Sequence, residues 1–253
     1  RPLIVRSTNN GTNWTAFDLT TTDPDTLPDG PLPDDLILVD IAMHSARHGF
    51  VVGYIPGAND TDDPDTGMIY KIAYDDTLAA YTFSDVTPYG ILPTDCRFHD
   101  VAVRGPNPQN GETYVAGGPN LLLVWDDGQG AFEEVSGIPG CPESCESTPN
   151  STTCSLDFRS VSMAPEGDLI LVGLEGVPHE HVSHELGRML RNTGSSCEWI
   201  PGRSIKDCLA TYVTSDDRAW VIVGPDNRGS IVSMTELGVW SRLDVDAEWG
   251  EAT

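Results

Sequence analysis

Two loops of the sequence carry side chains whose types and spacing suit a metal ion. Residues 59–67 alternate carboxylates with small polar residues, as a calcium loop does, since Ca²⁺ takes about six to eight oxygen ligands. The sixth-position glycine and the twelfth-position glutamate of an EF-hand are absent, so a solvated acidic turn is the alternative. The candidate calcium ligands are Asp60, Asp62, Asp63 and Asp65.

The second loop, residues 179–185, reads His-Glu-His-Val-Ser-His-Glu and holds half of the six histidines of the chain. It differs from the His-Glu-x-x-His pattern of zinc proteases, and it lies in a Gly/Pro-bounded loop rather than on a helix that would align ligands. Such a loop could still fold around zinc or copper, with a polar surface loop as the alternative. The candidate transition-metal ligands are His179, His181 and His184, whereas His44, His48 and His99 are expected to be surface or packing residues.

The chain is strongly acidic, with 39 acidic residues against 14 basic ones and a formal net charge of -25. Nucleic acid is not an expected partner, because its phosphates require a basic surface. The acidity indicates a solubilising or salt-adapted surface, and cation binding by part of it is the alternative. No apolar run approaches the roughly 18 residues of a transmembrane helix, so no membrane span is expected.

Six cysteines, all in or beside turn-rich stretches, indicate three disulfides and therefore an extracellular, cell-surface or periplasmic protein. Cys197 is expected to pair with Cys208, because both flank a single connection between successive repeats. Three connectivities stay open for the remaining four, which are Cys96, Cys141, Cys145 and Cys154. Sequons for N-glycosylation, all in predicted turns or loops, begin at Asn10, Asn13, Asn59 and Asn150.

The elements that would position these residues are short β-rich runs, with no stretch of helical periodicity between them. A unit returns at a period of roughly 50 to 60 residues. Its first strand recurs at Asp40, Asp100 and Ser160, with a looser copy at Thr211. A second strand ending in glycine follows, and the interval is twelve residues from Ile41 to Gly53, from Val161 to Gly173 and from Tyr212 to Gly224.

Two further strands complete each unit, which makes it a four-stranded antiparallel meander. One such sheet, or blade, cannot cover both of its faces, so blades stack around a ring. Residues 1–253 are therefore interpreted as a single all-β domain, a β-propeller. The predicted third and fourth strands are 68–74 and 80–84, 121–125 and 131–135, 188–191 and 197–200, and 231–234 and 239–243.

The first residues of the sequence do not match a whole unit. Residues 2–6 and 13–19 match only the third and fourth strands, and residues 246–253 offer at most one strand. The sequence thus holds four complete blades and half of another, whose inner strands are expected upstream or on another fragment. At least five blades are expected in the parent protein.

Residues 7–14, Ser-Thr-Asn-Asn-Gly-Thr-Asn-Trp, resemble the Asp box of bacterial-neuraminidase-type (BNR) repeats, a Ser-x-Asp-x-Gly-x-Thr-Trp hairpin. In such a hairpin a polar side chain holds the turn amides, the glycine takes a strained dihedral and the aromatic packs between sheets. The resemblance implies a propeller, but no activity, because Asp boxes lie on the outer rim. Weaker copies join Asp76 to Tyr81, Asp127 to Phe132 and Ser233 to Trp240.

Long connections are predicted on one face of the disc and short turns on the other, and long loops on a rigid scaffold are where binding tends to reside. We expect this face to contact a glycan or protein in a binding, adhesion or assembly domain without enzymatic activity. A glycosidase or lyase is one alternative, since sialidases carry Asp boxes, but their Arg-Ile-Pro motif is absent. A purely structural domain of a surface assembly is the other. The long segments are 20–35, 54–67, 85–96, 137–156 and 174–187.

Overall fold

The structure is a computed structural model of the 253-residue chain. It describes residues 2–7, 9–18, 32–57, 64–78, 80–118, 121–135, 157–165, 170–175, 189–192, 197–200, 208–215, 218–223, 230–234 and 240–244.

These residues form an all-β fold of one two-stranded sheet and four four-stranded sheets. The half-sheet consists of β1 (Leu3–Arg6) and β2 (Thr15–Asp18). Sheet I consists of β3 (Ile37–Met43), β4 (His48–Ile55), β5 (Thr66–Asp75) and β6 (Ala80–Asp85). Sheet II consists of β7 (Arg97–Arg104), β8 (Glu112–Gly118), β9 (Leu121–Asp126) and β10 (Ala131–Glu134). Sheet III consists of β11 (Asp157–Met163), β12 (Ile170–Glu175), β13 (Met189–Asn192) and β14 (Cys197–Ile200). Sheet IV consists of β15 (Cys208–Ser215), β16 (Arg218–Val223), β17 (Ser230–Met234) and β18 (Trp240–Asp244).

Each four-stranded sheet is an antiparallel meander in which sequence neighbours pair, so its first strand lies at one edge and its fourth at the other. The predicted four complete units and the half unit are confirmed as sheets, and the ends of the third and fourth strands of sheets I to IV lie within two residues of the prediction. The described part of the chain contains no α-helix and a single 3₁₀ turn, Pro108–Asn110. No described helix is long and apolar enough to cross a membrane.

An irregularity recurs in the first strand of every complete sheet. Between the first and second strands the register shifts by one residue, which leaves an extra residue opposite the partner strand. Such a β-bulge bends the strand and redirects its side chains. The extra residues are Val39, His99, Arg159 and Leu209.

The bulge explains two of the repeated glycines. Gly53 pairs with Leu38 and Gly117 with Phe98, just before the bulge in each case. A Cβ at Gly53 would collide with the carbonyl oxygen of Ile37, and a Cβ at Gly117 would lie 2.5 Å from that of Arg97. A side chain does not fit where the bulged strand presses its backbone onto the second strand.

The predicted equivalence of Gly173 and Gly224 with Gly53 is wrong. Gly173 pairs with Ser160 and therefore occupies the position of Val52, which pairs with Asp40 in sheet I. In sheet IV, Val223 takes the place of Gly53, and the first-strand alignment moves by one residue, so that Ala210 rather than Thr211 corresponds to Asp40. The hairpin of sheet III is one residue longer than that of sheet I, so an interval of twelve residues ends one position before the structural equivalent of Gly53. A count along the chain cannot detect this shift.

The sheets pack face to face in sequence order, with the first strand of each against the first strand of the next. Between sheets I and II, the Phe50 ring contacts Trp125 and Phe132 at centroid distances of 5.2 and 5.4 Å. Middle strands such as β4 and β9 are apolar at successive positions because both of their faces are covered. This core is formed mainly by Phe50, Val52, Ile69, Cys96, Phe98, Val101, Val115, Leu121, Leu123, Trp125 and Phe132.

Candidate functional site

We define the loop face as the end of the sheets at which the first strands begin. It carries the β4–β5 connection, residues 56–65, and the β6–β7 connection, residues 86–96, whereas the opposite turn face carries short links such as 76–79. The predicted asymmetry in loop length therefore holds for sheet I. In sheet II the β8–β9 link on the loop face is only residues 119 and 120, but the β10–β11 connection on the same face, residues 135–156, is long, as predicted.

Asp65 fastens the loop face of sheet I to the start of sheet II. Its buried carboxylate accepts a hydrogen bond from the Gly57 amide at 3.0 Å and forms an ion pair with Nε of Arg97. Its amide donates to the Asp95 carboxylate at 3.1 Å, and its carbonyl accepts from the Cys96 amide at 3.0 Å. Four polar links of one residue thus fix both connections relative to each other.

Arg97 presents a fixed positive charge beside these connections. Its guanidinium lies 5.0 Å from the centroid of the Tyr54 ring, and its side chain stays half exposed. The hydrogen bond with Asp65 raises the pKa of Arg97 further, so the group is charged at every physiological pH. In a chain with 39 acidic residues, a positioned guanidinium is a distinctive feature of this surface.

The β6–β7 connection is held by hydrogen bonds of its own. Thr87 Oγ1 accepts from the Ile69 amide at 2.8 Å and donates to the Ile69 carbonyl. The Tyr89 hydroxyl donates to Asp85 at 2.6 Å, and burial of the hydroxyl, with help from Asp85, raises the pKa of Tyr89 to about 12. Although the hydroxyl turns inward, most of Tyr89 is exposed, as is Ile91. The loop therefore displays two apolar side chains on an ordered backbone.

A ladder of hydrogen bonds joins the first strands of successive sheets. The Asp40 carboxylate accepts from the Val101 amide at 3.0 Å, and the Asp100 carboxylate accepts from the Val161 amide at 2.9 Å. In the next step the Ser160 hydroxyl accepts from the Thr211 amide at 3.0 Å. Asp40, Asp100 and Ser160 therefore occupy equivalent positions on the first strands, which confirms that sequence prediction. Each follows the bulge, and each satisfies an amide of the next sheet.

The ladder also brings two carboxyl groups together. Burial, followed by the hydrogen bond with Asp40, raises the pKa of Asp100 to about 7, even though Ser160 Oγ donates to Asp100 at 2.6 Å. Two adjacent carboxyls are most stable when they share a proton, because two negative charges in one partly buried site repel each other. Paired carboxyls can catalyse acid–base chemistry, but here their oxygens accept hydrogen bonds from the backbone of neighbouring sheets.

Bulge residues of sheets II and III also approach each other. Nη1 of Arg159 lies 3.5 Å from Nε2 of His99, near the loop-face end of the first strands. On the turn face, His44 contacts the Gly105 carbonyl at 3.1 Å and the Thr113 hydroxyl at 2.8 Å, and burial lowers its pKa. The packing role predicted for His44 is thereby observed.

The predicted metal ligands are mostly outside the described residues, and metal binding stays a prediction. Asp60, Asp62, Asp63 and all three histidines of residues 179–184 lie outside them; Asp65 is described and has the partners given above. No group of three His, Cys, Asp or Glu side chains within the described ranges could hold a metal ion.

The structure locates three of the six cysteines and two of the four glycosylation sequons, and it does not test the predicted disulfides or glycans. Cys96 is buried in the core between sheets I and II, Cys197 is the first residue of β14 and Cys208 is the first of β15. Asn10 and Asn13 lie exposed in the β1–β2 turn, as glycosylation would require. Cys141, Cys145, Cys154, Asn59 and Asn150 lie outside the described residues.

The β1–β2 turn matches the expected Asp-box hairpin in two respects and departs from it in a third. Asn9 Oδ1 accepts from the Asn13 amide and Ser7 Oγ from the Gly11 amide, each at 2.8 Å. Gly11 has φ +83°, in the left-handed region. Trp14 does not pack between sheets, however, and is 62% exposed. Membership of the BNR family stays a prediction.

In the weaker copies the aspartate that holds the turn is one residue earlier than predicted. Asp75, not Asp76, accepts from the Thr77 amide at 2.7 Å, and Asp126, not Asp127, accepts from the Gly128 amide at 2.8 Å. Spacing from the aromatic residue identifies the turn but not its aspartate, because these turns are shorter than the first.

Comparison with known proteins yields likeness in fold alone. No protein-family profile matches the sequence, and no curated protein matches it. The solved GH74 xyloglucanase from Xanthomonas campestris superposes with a TM-score of 0.50 at 13% identity, over 94% of this chain and 35% of that protein. A solved structure of U3-55K gives a TM-score of 0.45 at 10% identity, over 85% of this chain and 56% of that one. This chain therefore spans 35% of the xyloglucanase, whose likeness supports a propeller-like fold.

The features that sequence reasoning missed are the bulge and the ladder. The signal was present in the Asp, Asp and Ser residues at a spacing of 60 residues, which served as a repeat marker without an assigned role. Their function as inter-sheet acceptors depends on the preceding extra residue, and a bulge leaves no compositional mark.

Proposed function

We propose that the sheets belong to a β-propeller ring whose loop face binds a protein or a glycan without catalysing a reaction. The ring is supported by the repeated geometry, since each first strand contacts the next through the same bulge and the same acceptor position. The likeness in fold to the xyloglucanase supports the same arrangement. Its enzymatic activity does not carry over at 13% identity.

The observation that carries the binding proposal is the exposed pair Tyr89 and Ile91 on a loop whose backbone is already ordered. Tyrosine is among the residues enriched at binding sites, and Tyr89 is 56% exposed beside the exposed Ile91 in the same loop. Arg97, held by Asp65 on the same face, adds a directional donor for a carbonyl, carboxylate or sugar hydroxyl. An ordered loop loses little conformational entropy on binding.

Catalysis is less well supported by the described residues. Asp40 and Asp100 are already bonded to amides of the sheets, so a substrate would have to displace structural hydrogen bonds to reach them. Turnover of chromogenic glycosides or polysaccharide would revive the glycosidase or lyase alternative. The same assay with Asp100→Asn would show whether the ladder carboxyls take part.

The binding proposal is tested on a glycan array and a panel of extracellular proteins. We expect Tyr89→Ala and Ile91→Ser each to weaken the selected interaction about tenfold, which corresponds to roughly 1.4 kcal/mol. Leu78→Ser, which removes an exposed apolar residue from the turn face, is the matched control and should leave binding unchanged. Equal losses in all three variants, or a ligand that depends only on Leu78, would contradict the face assignment. A purely structural domain would bind no member of either panel.

We further propose that the protein is extracellular, with three disulfides and a calcium ion at residues 60–65. Mass spectrometry after alkylation, with and without reduction, should show six cysteines protected before reduction. The melting temperature should rise with calcium and fall with a chelator, and Asp62→Asn should abolish this response. An unchanged melting temperature would return residues 59–67 to a solvated acidic turn.

A further inference from the structure

Asp100 of sheet II contacts both neighbouring sheets through one carboxyl group. Toward sheet III, its Oδ2 accepts a hydrogen bond from the Ser160 hydroxyl at 2.6 Å and another from the Val161 amide at 2.9 Å. Toward sheet I, it shares a hydrogen bond with the carboxyl group of Asp40. One side chain therefore takes part in both contacts of sheet II, and the two contacts differ in their chemistry.

The contact with sheet III consists of donors and favours an ionised Asp100. The buried Ser160 hydroxyl has a single proton, which it donates to Asp100, so the Thr211 hydroxyl is the donor in its 3.1 Å contact with Ser160 Oγ. The Thr211 amide donates to the same oxygen at 3.0 Å. These hydrogen bonds all point from sheet IV through sheet III toward Asp100. A carboxylate accepts such bonds more strongly than a neutral carboxyl does, so negative charge on Asp100 strengthens this contact.

The contact with sheet I instead requires a proton. Two carboxyl groups hydrogen-bond to each other only while one of them is protonated, and two carboxylates in a partly buried site repel each other. Asp40 also accepts from the Val101 amide of sheet II at 3.0 Å, so the repulsion acts where the first strands of the two sheets meet. Negative charge on Asp100 therefore weakens the contact with sheet I.

The groups around Asp100 place its change of charge near neutral pH. Burial, and then the neighbouring Asp40, raise the pKa of Asp100 to about 7, while the hydrogen bonds from sheet III lower it. Of the strands packed against it, β3 contributes the acidic Asp40 and β11 contributes the uncharged Ser160. His99 and Arg159, one residue earlier on β7 and β11, contact each other through Nε2 and Nη1.

We propose that Asp100 is a proton-operated switch that holds sheet II more tightly to sheet I when protonated and more tightly to sheet III when ionised. When the proton dissociates to water, the hydrogen bond with Asp40 is lost, and the new charge strengthens the hydrogen bonds from Ser160 and Val161. The fold as a whole loses stability, but the contact between sheets II and III gains. This inference depends neither on the closure of a ring nor on the ligand proposed for the loop face.

NMR spectroscopy of the whole chain can follow the proton and the contact with sheet III. The ¹³C resonance of the Asp100 carboxyl should titrate with a midpoint near pH 7. The Val161 amide proton should move downfield with the same midpoint, because a hydrogen bond to an ionised oxygen is shorter and stronger. The Gly128 amide, which donates to Asp126 in an exposed turn at 2.8 Å, is the control and should not follow the titration of Asp100.

Two substitutions should move the Asp100 midpoint in opposite directions. Asp40→Asn keeps the shape of the side chain but removes its charge, so the midpoint should fall by about one pH unit or more, a tenfold loss of proton affinity. Ser160→Ala removes a donor to the ionised form and should raise the midpoint. By linkage, a group that lowers the proton affinity of Asp100 is itself bound more tightly when Asp100 is ionised. Asp126→Asn is the matched control and should leave the midpoint unchanged.

Three results would overturn the proposal. One is an Asp100 midpoint below about pH 5 in the parent protein, since the switch would then stay in its ionised state at neutral pH. Another is an Asp100 midpoint that Asp40→Asn leaves unchanged, or that both substitutions move in the same direction. The third is a Val161 amide that does not respond while Asp100 titrates. If Ser160→Ala does not fold, the Val161 signal of the parent protein decides the same question.

Discussion

The two faces of sheet I differ in how completely they are covered. The face toward sheet II buries Phe50 completely against Trp125 and Phe132. The face toward the half-sheet is covered over β5 and β6 but leaves Ile41 of β3 exposed. Both faces belong to one sheet with one hydrophobic pattern, so the difference comes from the neighbours and not from the strands themselves. An apolar residue in a stacked sheet stabilises the fold only where the next sheet reaches it.

The largest expected effect is the difference in unfolding free energy between a variant of one face and a variant of the other. Phe50→Ala removes an aromatic ring that is closed in on all sides, and should lower the free energy of unfolding by about 3 to 5 kcal/mol. Ile41→Ala removes a side chain that is still partly in water, and should cost less than about 1 kcal/mol. Denaturant unfolding of both variants measures the contrast. A similar loss for Ile41→Ala would mean that its face is covered in solution.

Substitution of the glycine opposite the bulge should cause the next largest loss of stability. Gly53→Ala places a methyl group against the carbonyl oxygen of Ile37 on the neighbouring strand, and should lower stability by about 1 to 3 kcal/mol. Gly90→Ala is the control, because nothing lies within 4 Å of its Cβ position. Thermal unfolding should distinguish the two, and a neutral Gly53→Ala would contradict the tight approach of β3 and β4 at the bulge.

The carboxyl pair of the ladder should give stability a pH dependence. Because the pKa of Asp100 is about 7 in the folded protein and 3.8 is its ordinary value, the folded state retains a proton that the unfolded chain releases between these values. Stability from this group is therefore greatest below about pH 4 and is lost as the pH rises to about 7. The loss should be on the order of 4 kcal/mol, since each pKa unit corresponds to about 1.4 kcal/mol.

Asp100→Asn isolates that contribution from the general repulsion of an acidic chain. Its amide can donate to Asp40, and its oxygen can still accept from the Val161 amide. The variant should be more stable than the parent protein at pH 8, and its stability should vary less between pH 4 and pH 7. Unfolding curves collected at four pH values measure this, and a parallel pH dependence in both proteins would show that Asp100 is ionised throughout.

The smallest effects concern ion pairs at the two ends of sheet I. Asp65→Asn should cost about 1 to 2 kcal/mol, because Asp65 is buried and joins sheets I and II through Arg97 and Gly57. Asp76→Asn breaks the ion pair with Arg47, which is fully exposed to water and salt, and should leave the melting temperature unchanged. Equal losses would show that the turn face contributes more to sheet contacts than its exposure indicates.

The sheets were predictable from the sequence because their signal is local. Alternation of apolar residues and turn residues located β14 at Cys197–Ile200 without error, and the period placed Asp40, Asp100 and Ser160 at equivalent positions. Register was less predictable, as the displaced Gly173 shows, because one residue added in a hairpin changes pairing but not composition.

Properties of the candidate site depended on contacts that no spacing encodes. Asp65 looked like one carboxylate of an acidic loop, but its partner Arg97 lies 32 positions away, at the start of the next sheet. Trp14 was expected to pack between sheets, but its side chain is 62% exposed. Long-range pairing decides these cases, and one sequence holds no record of it.

The bulge on each first strand also matters before the neighbouring sheet has formed. During synthesis, every newly folded meander presents its first strand as an open edge, along which another copy could add strands and start aggregation. An extra residue such as Val39, followed by an inward carboxyl such as Asp40, interrupts the regular row of amides and carbonyls that such growth requires. The bulge and its carboxyl, which later position one sheet against the next, thus also oppose aggregation of the incompletely folded chain.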